Sequence, residues 1–436
     1  MNKLAEELNQ VFQTQAPHLY EMLSDYGKAI YFPKGILHQG AEAGQKAKKY
    51  NATVGIALEK GVAMHLPCIK KHVPGLTPAE MFTYAPPQGI PKLREAWKAK
   101  LLNENPALKG KSFSTPIVTA AIAHGLSCAA ELFVSPGDPL IVPDQYWDNY
   151  PLTFCVRNNA VLFTYSTFTA SNQFDAAAME AAIMKHGKAK GKAVVLLNFP
   201  NNPTGYSVGR GEALEITAAL ERCAKAGINL VVLHDDAYFG LVFDDSVMRE
   251  SLFGLTANLH ERLLAVKLCG ATKEEFVWGF RTGFISYGIQ CAQPDAVYAA
   301  LEKKTMGVIR VSISNSPMIS QNLVLKALQD PDFAAERAQK HAVLKGRVLE
   351  VKRVLEDPKF APHFTAYPFN AGYFMCLRLK KLKAEALRVH LLDKYGVGTI
   401  ATAESDLRIA FSCIEEENVR ELFDIIGQGC MDLSGK

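Results

Sequence analysis

The sequence predicts an α/β protein: a three-layer α/β/α unit around a seven-stranded, mostly parallel sheet, with a smaller α+β unit beside it. Three observations carry this. Seven short apolar runs (117–119, 140–142, 161–165, 193–197, 230–233, 263–268 and 284–287) alternate with helical stretches. Such continuous runs mark strands covered on both faces, as parallel sheets are. Beyond residue 330 the pattern changes to long helical stretches at about 335–356, 383–395 and 416–426, with only two strand-like runs, 373–377 and 407–411. Finally, 436 residues are more than one core usually holds.

Composition narrows the function. The formal charge is +4, and no basic run is interleaved with aromatics, so the electrostatic footprint of a nucleic-acid binder is missing. The nine cysteines are scattered and form neither a CxxC pair nor a Cys/His cluster at ligand spacing, so they read as reduced thiols and no metal is expected. The start, MNKLAEELNQ, has no apolar h-region, and no stretch approaches a membrane span. The expectation is a cytoplasmic protein with neither membrane nor nucleic-acid partners.

In chain order, Leu4, Leu8 and Phe12 stand at helical spacing near the start. Gly55, after Val54, either lets the backbone approach a ligand or is a plain turn glycine. The stiff loop from Tyr84 through Gly89 leads into a helix with Pro91 in its first turn and Leu93, Trp97 and Leu101 on one face. Tyr84 itself reads equally as core or as a site residue.

After the first strand, Ala121, Ile122 and Ala123 open a helix whose N-terminal amides can face a phosphate. After the second, Tyr146 and Trp147 stand at the strand end, where one ring could stack on a flat ligand or pack under a loop. Asn198 to Gly205, NFPNNPTG, fixes an irregular turn in which Asn202 presents its amide rigidly. In the following strand's exit, HDDAY, Asp235 and Tyr238 can face one ligand, and a carboxylate in so apolar a setting demands a cationic partner.

Lys273 leaves the sixth apolar run in the string GATKEEFVWGFRTGF. A desolvated lysine has a lowered pKa, and its neutral amine adds to an aldehyde as a Schiff base. Arg281, eight residues on, could clamp an anion, and the anion would be a phosphate. Taken singly, these are more simply a solvated lysine and a salt-bridged arginine. Arg408, inside an apolar strand, is costly without a carboxylate and reads as a ligand clamp.

Together NNPTG, then DxxY, then a lysine followed by Gly-x-Arg-x-Gly, in that order and at strand ends, resemble the class I and II aminotransferases. These are pyridoxal-phosphate enzymes of the aspartate aminotransferase fold, or fold type I, and the resemblance runs from about Asn51 to Phe411. It implies a large cofactor domain at 71–330. The small domain would be built from 331–436 together with 1–70, which includes a linker.

Carried over by position, the resemblance makes Lys273 the Schiff-base lysine and proton carrier, and Asp235 the partner of the pyridine nitrogen. Asn202 and Tyr238 would bind the phenolic oxygen, Trp147 would stack on the ring, and Arg281 with the amides of Ala121, Ile122 and Ala123 would hold the phosphate. Arg408, helped by the backbone of Gly55, would clamp the substrate α-carboxylate. Tyr84 would reach the phosphate of a partner subunit, so the resemblance implies a homodimer with shared sites. Arg310 matches the place of an arginine that crosses that interface to a distal carboxylate.

The implied reaction is ping-pong transfer of an amino group from an L-amino acid, aspartate or another acidic or aromatic one, to 2-oxoglutarate or another 2-oxo acid. A lyase or decarboxylase on the same fold is the nearest alternative. A non-catalytic effector domain that binds the same cofactor is a further one, disfavoured because no helix-turn-helix extension or basic patch is present. Two departures stand out. The turn 121–123 offers no hydroxyl, and Gly270 replaces a serine common three residues before the lysine, so weaker cofactor retention is expected.

Overall fold

A computed structural model describes residues 2–33 and 35–434. The seven apolar runs are seven strands: β1 (Ile117–Thr119), β2 (Pro139–Pro143), β3 (Val161–Tyr165), β4 (Lys192–Asn198), β5 (Asn229–Asp235), β6 (Leu263–Gly270) and β7 (Gly283–Gly288). They form one sheet in the order β1-β7-β6-β5-β4-β2-β3. Neighbours from β6 to β3 run parallel, whereas β7 is antiparallel to both β6 and β1. A parallel return needs a long crossover. Only the short helix Ala271–Glu274 and the turn Trp278–Phe280 join β6 to β7, so the chain comes back antiparallel.

Both faces of the sheet are covered, as the alternation of side chains along β7 makes plain. Phe284 stacks on Trp97 of the helix Pro91–Glu104 with ring centroids 4.0 Å apart. Tyr287, on the opposite face by parity, meets Phe133 of the helix Ala121–Phe133 edge to face at 6.0 Å. The predicted apolar face of Pro91–Glu104 is buried as expected, at Leu93, Trp97 and Leu101.

A second sheet follows: β8 (Phe364–Ala366), β9 (Phe374–Leu379), β10 (Ile400–Ala401) and β11 (Asp406–Ala410), in the antiparallel order β8-β9-β11-β10. The helices Phe333–Leu355, Ala384–Tyr395 and Val419–Ser434 pack around it. The beginning of the chain joins this sheet's surroundings. Tyr50–Asn51 pairs in parallel with Val397–Gly398, and the Ala410 amide donates to the Ala52 carbonyl at 2.8 Å.

Near the start, the helix Lys3–Gln15 buries Ala5 and Asn9 and leaves Leu8 48 % exposed, so the spacing of Leu4, Leu8 and Phe12 identifies a helix but not its buried face. No helix among the described residues is long and apolar enough to cross a membrane.

Candidate active site

Chemistry-bearing residues gather where β4, β5 and β6 end side by side, with Asn198 and Asp235 in register. This carboxyl edge is where open parallel sheets receive ligands. At the tip of β4, Asn198 donates through Nδ2 to the Asp235 carbonyl and accepts from the Asn202 amide, both at 2.8 Å. The NNPTG loop is pressed onto the second sheet: Gly205 has φ +74°, and a Cβ there would stand 1.8 Å from the Phe374 carbonyl oxygen. That approach delivers Asn202 to Arg408, whose Nη1 donates to Asn202 Oδ1 at 2.9 Å. Asn202 Nδ2 donates to no protein group among the described residues and is left as a donor.

Asp235 is 2 % exposed and accepts hydrogen bonds from Tyr150 Oη at 2.7 Å and the Ala237 amide at 3.1 Å. Burial nevertheless pushes its carboxyl up to about 6, and the charge of Asp236 adds to this, against the Tyr150 bond and the positive Lys273. Lys273 shows the mirror effect. Desolvation lowers its amine to about 8 in spite of Asp235, and the Arg281 charge lowers it further. Its Nζ lies 5.1 Å from the centroid of the Tyr238 ring.

The short helix that carries Lys273 is anchored from behind. Tyr373 Oη donates to the Lys273 carbonyl at 2.7 Å, while Lys100 Nζ and Arg337 Nη2 each hold the buried Glu274 carboxylate at 3.0 Å. This fixes the lysine backbone while its amine faces the cavity.

That cavity encloses about 250 Å³ and has two arginines, Arg281 and Arg408, in its lining. The turn Ala121, Ile122 and Ala123 lines it as well, and Arg408 is joined there by Gly55 and Phe374, with a Cβ on Gly55 3.7 Å from the Phe374 ring. Arg281 takes a left-handed φ of 54° directly before β7, and Gly283 lies so close under Ala121 that a Cβ would stand 2.6 Å from its carbonyl carbon. Arg408 is 1 % exposed, lies 4.1 Å above the Phe374 ring and donates through Nη2 to the Thr53 carbonyl at 3.0 Å. Burial lowers its pKa from the ordinary arginine value.

Two buried polar atoms at this cavity have no protein partner among the described residues: Thr272 Oγ1, beside Lys273, and Arg408 Nε. A buried donor without an acceptor costs stability unless a ligand supplies one. Arg408 Nε is a donor and the Thr272 hydroxyl can donate or accept, so an oxygen of a bound ligand can satisfy either.

The structure brings together Lys273, Asp235, Tyr238, Asn202, Trp147, Arg281, Ala121, Ile122, Ala123, Gly55 and Arg408 on one cavity. Gly55 is not in the left-handed region, and a Cβ there would meet only Phe374 at an ordinary 3.7 Å, so the protein's own packing does not demand glycine. Tyr84 is 89 % exposed, and Arg310, in the last turn of the helix Pro294–Ser312, is also exposed and turns to Ser314. Neither lines the cavity of its own chain.

Tyr150, Asn198, Thr272, Ile36 and Phe374 also line it and escaped the sequence reading. Tyr150 stands three residues after Trp147 and Thr272 directly before Lys273, signals that could have been used. Ile36 comes from a segment with no recognisable string.

The sequence profile described as Aminotransferase class I and II matches residues 54–426. An aspartate/prephenate aminotransferase of Cereibacter sphaeroides is 26 % identical over 368 residues, covering 80 % of this chain and 84 % of that protein. A probable aspartate/prephenate aminotransferase of Aquifex aeolicus is 25 % identical over 77 % of this chain and 80 % of its own. Among solved structures, an aminotransferase from Anaerococcus prevotii superposes with a TM-score of 0.81 at 22 % identity, covering 91 % of this chain and 96 % of that one. A single mutant of the Thermus thermophilus aspartate aminotransferase gives 0.75 at 23 % identity, over 93 % and 99 %. With the profile spanning most of the chain, and the fold shared, this protein belongs to the class I and II aminotransferase family.

Proposed function

We propose that this protein is a pyridoxal-phosphate-dependent aminotransferase that moves an amino group from an L-amino acid to a 2-oxo acid. The observation that carries the reading is the set of groups gathered on one cavity: Arg281, the lysine amine lowered to about 8, the buried Asp235, and Arg408. Bound pyridoxal phosphate would supply an aldehyde for the amine and an electron sink for the carbanion at the substrate α-carbon.

The residues fit that group. Arg281, Thr272 and the amides of the turn 121–123 would hold its phosphate, and Asp235 would keep a proton on its ring nitrogen. Asn202 Nδ2 and the Tyr238 hydroxyl would reach its phenolic oxygen, with Trp147 against the ring. Arg408 binds the substrate carboxylate through Nε and the guanidinium fork, which orients the α-carbon hydrogen toward Lys273. Lys273 then takes that proton at Nζ and returns it to the other side of the transfer, a positioned general base with a pKa near the working range.

The reading includes a cytoplasmic homodimer in which Tyr84 and Arg310, both turned away from their own cavity, complete the partner's site. It also keeps the domain division at residues 71 and 331. The acidic donor is favoured because Arg310 would meet a distal carboxylate, and because the Cereibacter relative is named for aspartate and prephenate.

The test is the visible spectrum of the protein with pyridoxal phosphate, with Lys273→Ala as control, on adding L-aspartate, L-tyrosine and L-alanine in turn. A cofactor band that is absent from the variant and bleached by aspartate supports the reading. A band that no amino acid bleaches removes transamination of common amino acids, and the absence of any band removes the cofactor.

A further inference from the structure

The helix Ala121–Phe133 begins without a capping side chain, because the residue before it is Ala120. Its first residue, Ala121, has φ +66°, a left-handed conformation unfavourable for a residue with a Cβ. The turn is therefore held from outside. Thr119 Oγ1 donates to the Ala121 carbonyl at 2.9 Å, and Gly283 closes underneath.

A third holder comes from one turn along the helix. His124 folds back so that its Nδ1 accepts from the Ala120 amide at 3.1 Å. By taking that amide, the imidazole leaves the next ones, which have no intrahelical partner, to face the cavity. Ser312 fixes the tautomer at the other ring nitrogen. Its hydroxyl donates to the Val308 carbonyl at 2.8 Å, so its oxygen accepts from His124 Nε2–H at 3.0 Å. Nδ1 thus carries a lone pair, and the ring is neutral. A second proton would set N–H against N–H at Ala120.

The neighbours of the ring are on three elements. Cys128 Sγ lies 3.5 Å from Nε2 on the same helix. Arg157, after the helical turn Pro151–Val156, pairs with Glu131 at 2.6 Å, and the helix Pro294–Ser312 contributes Ser312. Burial first, and then the Arg157 charge, lower the imidazole pKa and favour the neutral ring.

We propose that His124 is a positioning residue for the anion end of the cavity: as a neutral imidazole it fastens the turn Ala120–Ala123 in the geometry that receives a phosphate, and its protonation releases that turn. This rests on the reading that pyridoxal phosphate enters the cavity phosphate-first toward Arg281.

The experiment measures dissociation constants of the apoprotein for pyridoxal phosphate and for pyridoxal, which lacks the phosphate, by fluorescence titration. The variants are His124→Ala, which deletes the acceptor, and His124→Asn, whose Oδ1 can replace Nδ1 as an acceptor but does not titrate. Near neutral pH, His124→Ala weakens pyridoxal phosphate about tenfold and leaves pyridoxal within about twofold, while His124→Asn stays close to wild type. On acidification below the ordinary imidazole range, the wild type loses more affinity than His124→Asn, and the extra loss grows as pH falls. Ionisation of the phosphate is common to both and drops out of that comparison.

Equal acid losses in the two proteins overturn the proposal, as does a variant that weakens pyridoxal as much as its phosphate. Thermal melting of the apoproteins shows that the variants fold; should His124→Ala not fold, the His124→Asn comparison decides alone. A wild type that does not bind pyridoxal phosphate overturns the proposed function and this inference with it. Binding that is unaltered in both variants at every pH overturns the inference only.

Discussion

Lys273 and Asp235 perturb each other less than burial perturbs both, and that leaves each with a measurable signature. The neutral amine is the nucleophile, so the rate at which the apoprotein captures pyridoxal phosphate rises with pH and levels off about a midpoint near 8. A midpoint near that of a solvated lysine, more than two units higher, would contradict the desolvated geometry. For Asp235 the folded-state value of about 6 lies above the ordinary aspartate value of 3.8, so the folded protein binds the extra proton. Stability therefore falls as pH rises between these values, and the cost persists above them. Asp235→Asn removes that cost. At pH 8 the apo variant is expected to be more stable by roughly 2–3 kcal/mol at most, while turnover falls on the order of a hundredfold or more. Thermal melts at pH 8 and below pH 4 check the sign, because the gain should vanish at the lower pH. Thr272 bears on the expectation of weak cofactor retention, because a hydroxyl, missing at 121–123 and at 270, stands next to the lysine, buried and without a protein partner among the described residues.

At the scale of elements, the large sheet was legible because β4, β5 and β6 are continuous buried runs, and each ends in a residue type that strands seldom choose. Asp235, at the end of β5, and Lys273, three residues beyond the end of β6, were legible for the same reason. The helix Pro294–Ser312 was not, since its end reads IRVSIS, a β-branched string, and only Tyr298, Thr305 and Ile309 are buried along it. Tyr150 was missed because its function lies in one hydrogen bond to Asp235, which no spacing encodes. Arg408 was legible as a misfit in β11, but its partners were not, because Asn202 and Thr53 meet it only when the second sheet closes on the NNPTG loop. That closure makes a prediction. Lysine cannot span Asn202, Thr53 and a carboxylate together. Arg408→Lys is expected to raise KM for the amino acid by about ten- to a hundredfold, with the affinity for pyridoxal phosphate changed by less than about threefold. A loss of cofactor affinity equal to the loss of substrate affinity would show instead that Arg408 supports the loop rather than the substrate.

For the whole molecule, the cavity of one chain carries Arg281 and Arg408, which on the proposed function meet a cofactor phosphate and an α-carboxylate, while Tyr84 and Arg310 stand outside it. An isologous dimer brings the same surface of each copy to the other, so a residue that leaves its own site can enter its partner's. Mixing two inactive variants decides whether it does. Lys273→Ala destroys the site of its own chain, and Arg310→Ala is expected to cripple turnover of aspartate but not of alanine. If Arg310 crosses the interface, a hybrid of the two variants contains one site with both defects and one with neither. Random re-pairing makes half the dimers hybrids, each with one intact site of two, so about a quarter of wild-type aspartate turnover returns. If Arg310 serves its own chain, every site in the hybrid holds one defect and nothing returns above the parents. Separately tagged copies, co-expressed and purified through both tags, isolate the hybrid, in which about half of wild-type activity is expected under the crossing arrangement and only parental activity under the other.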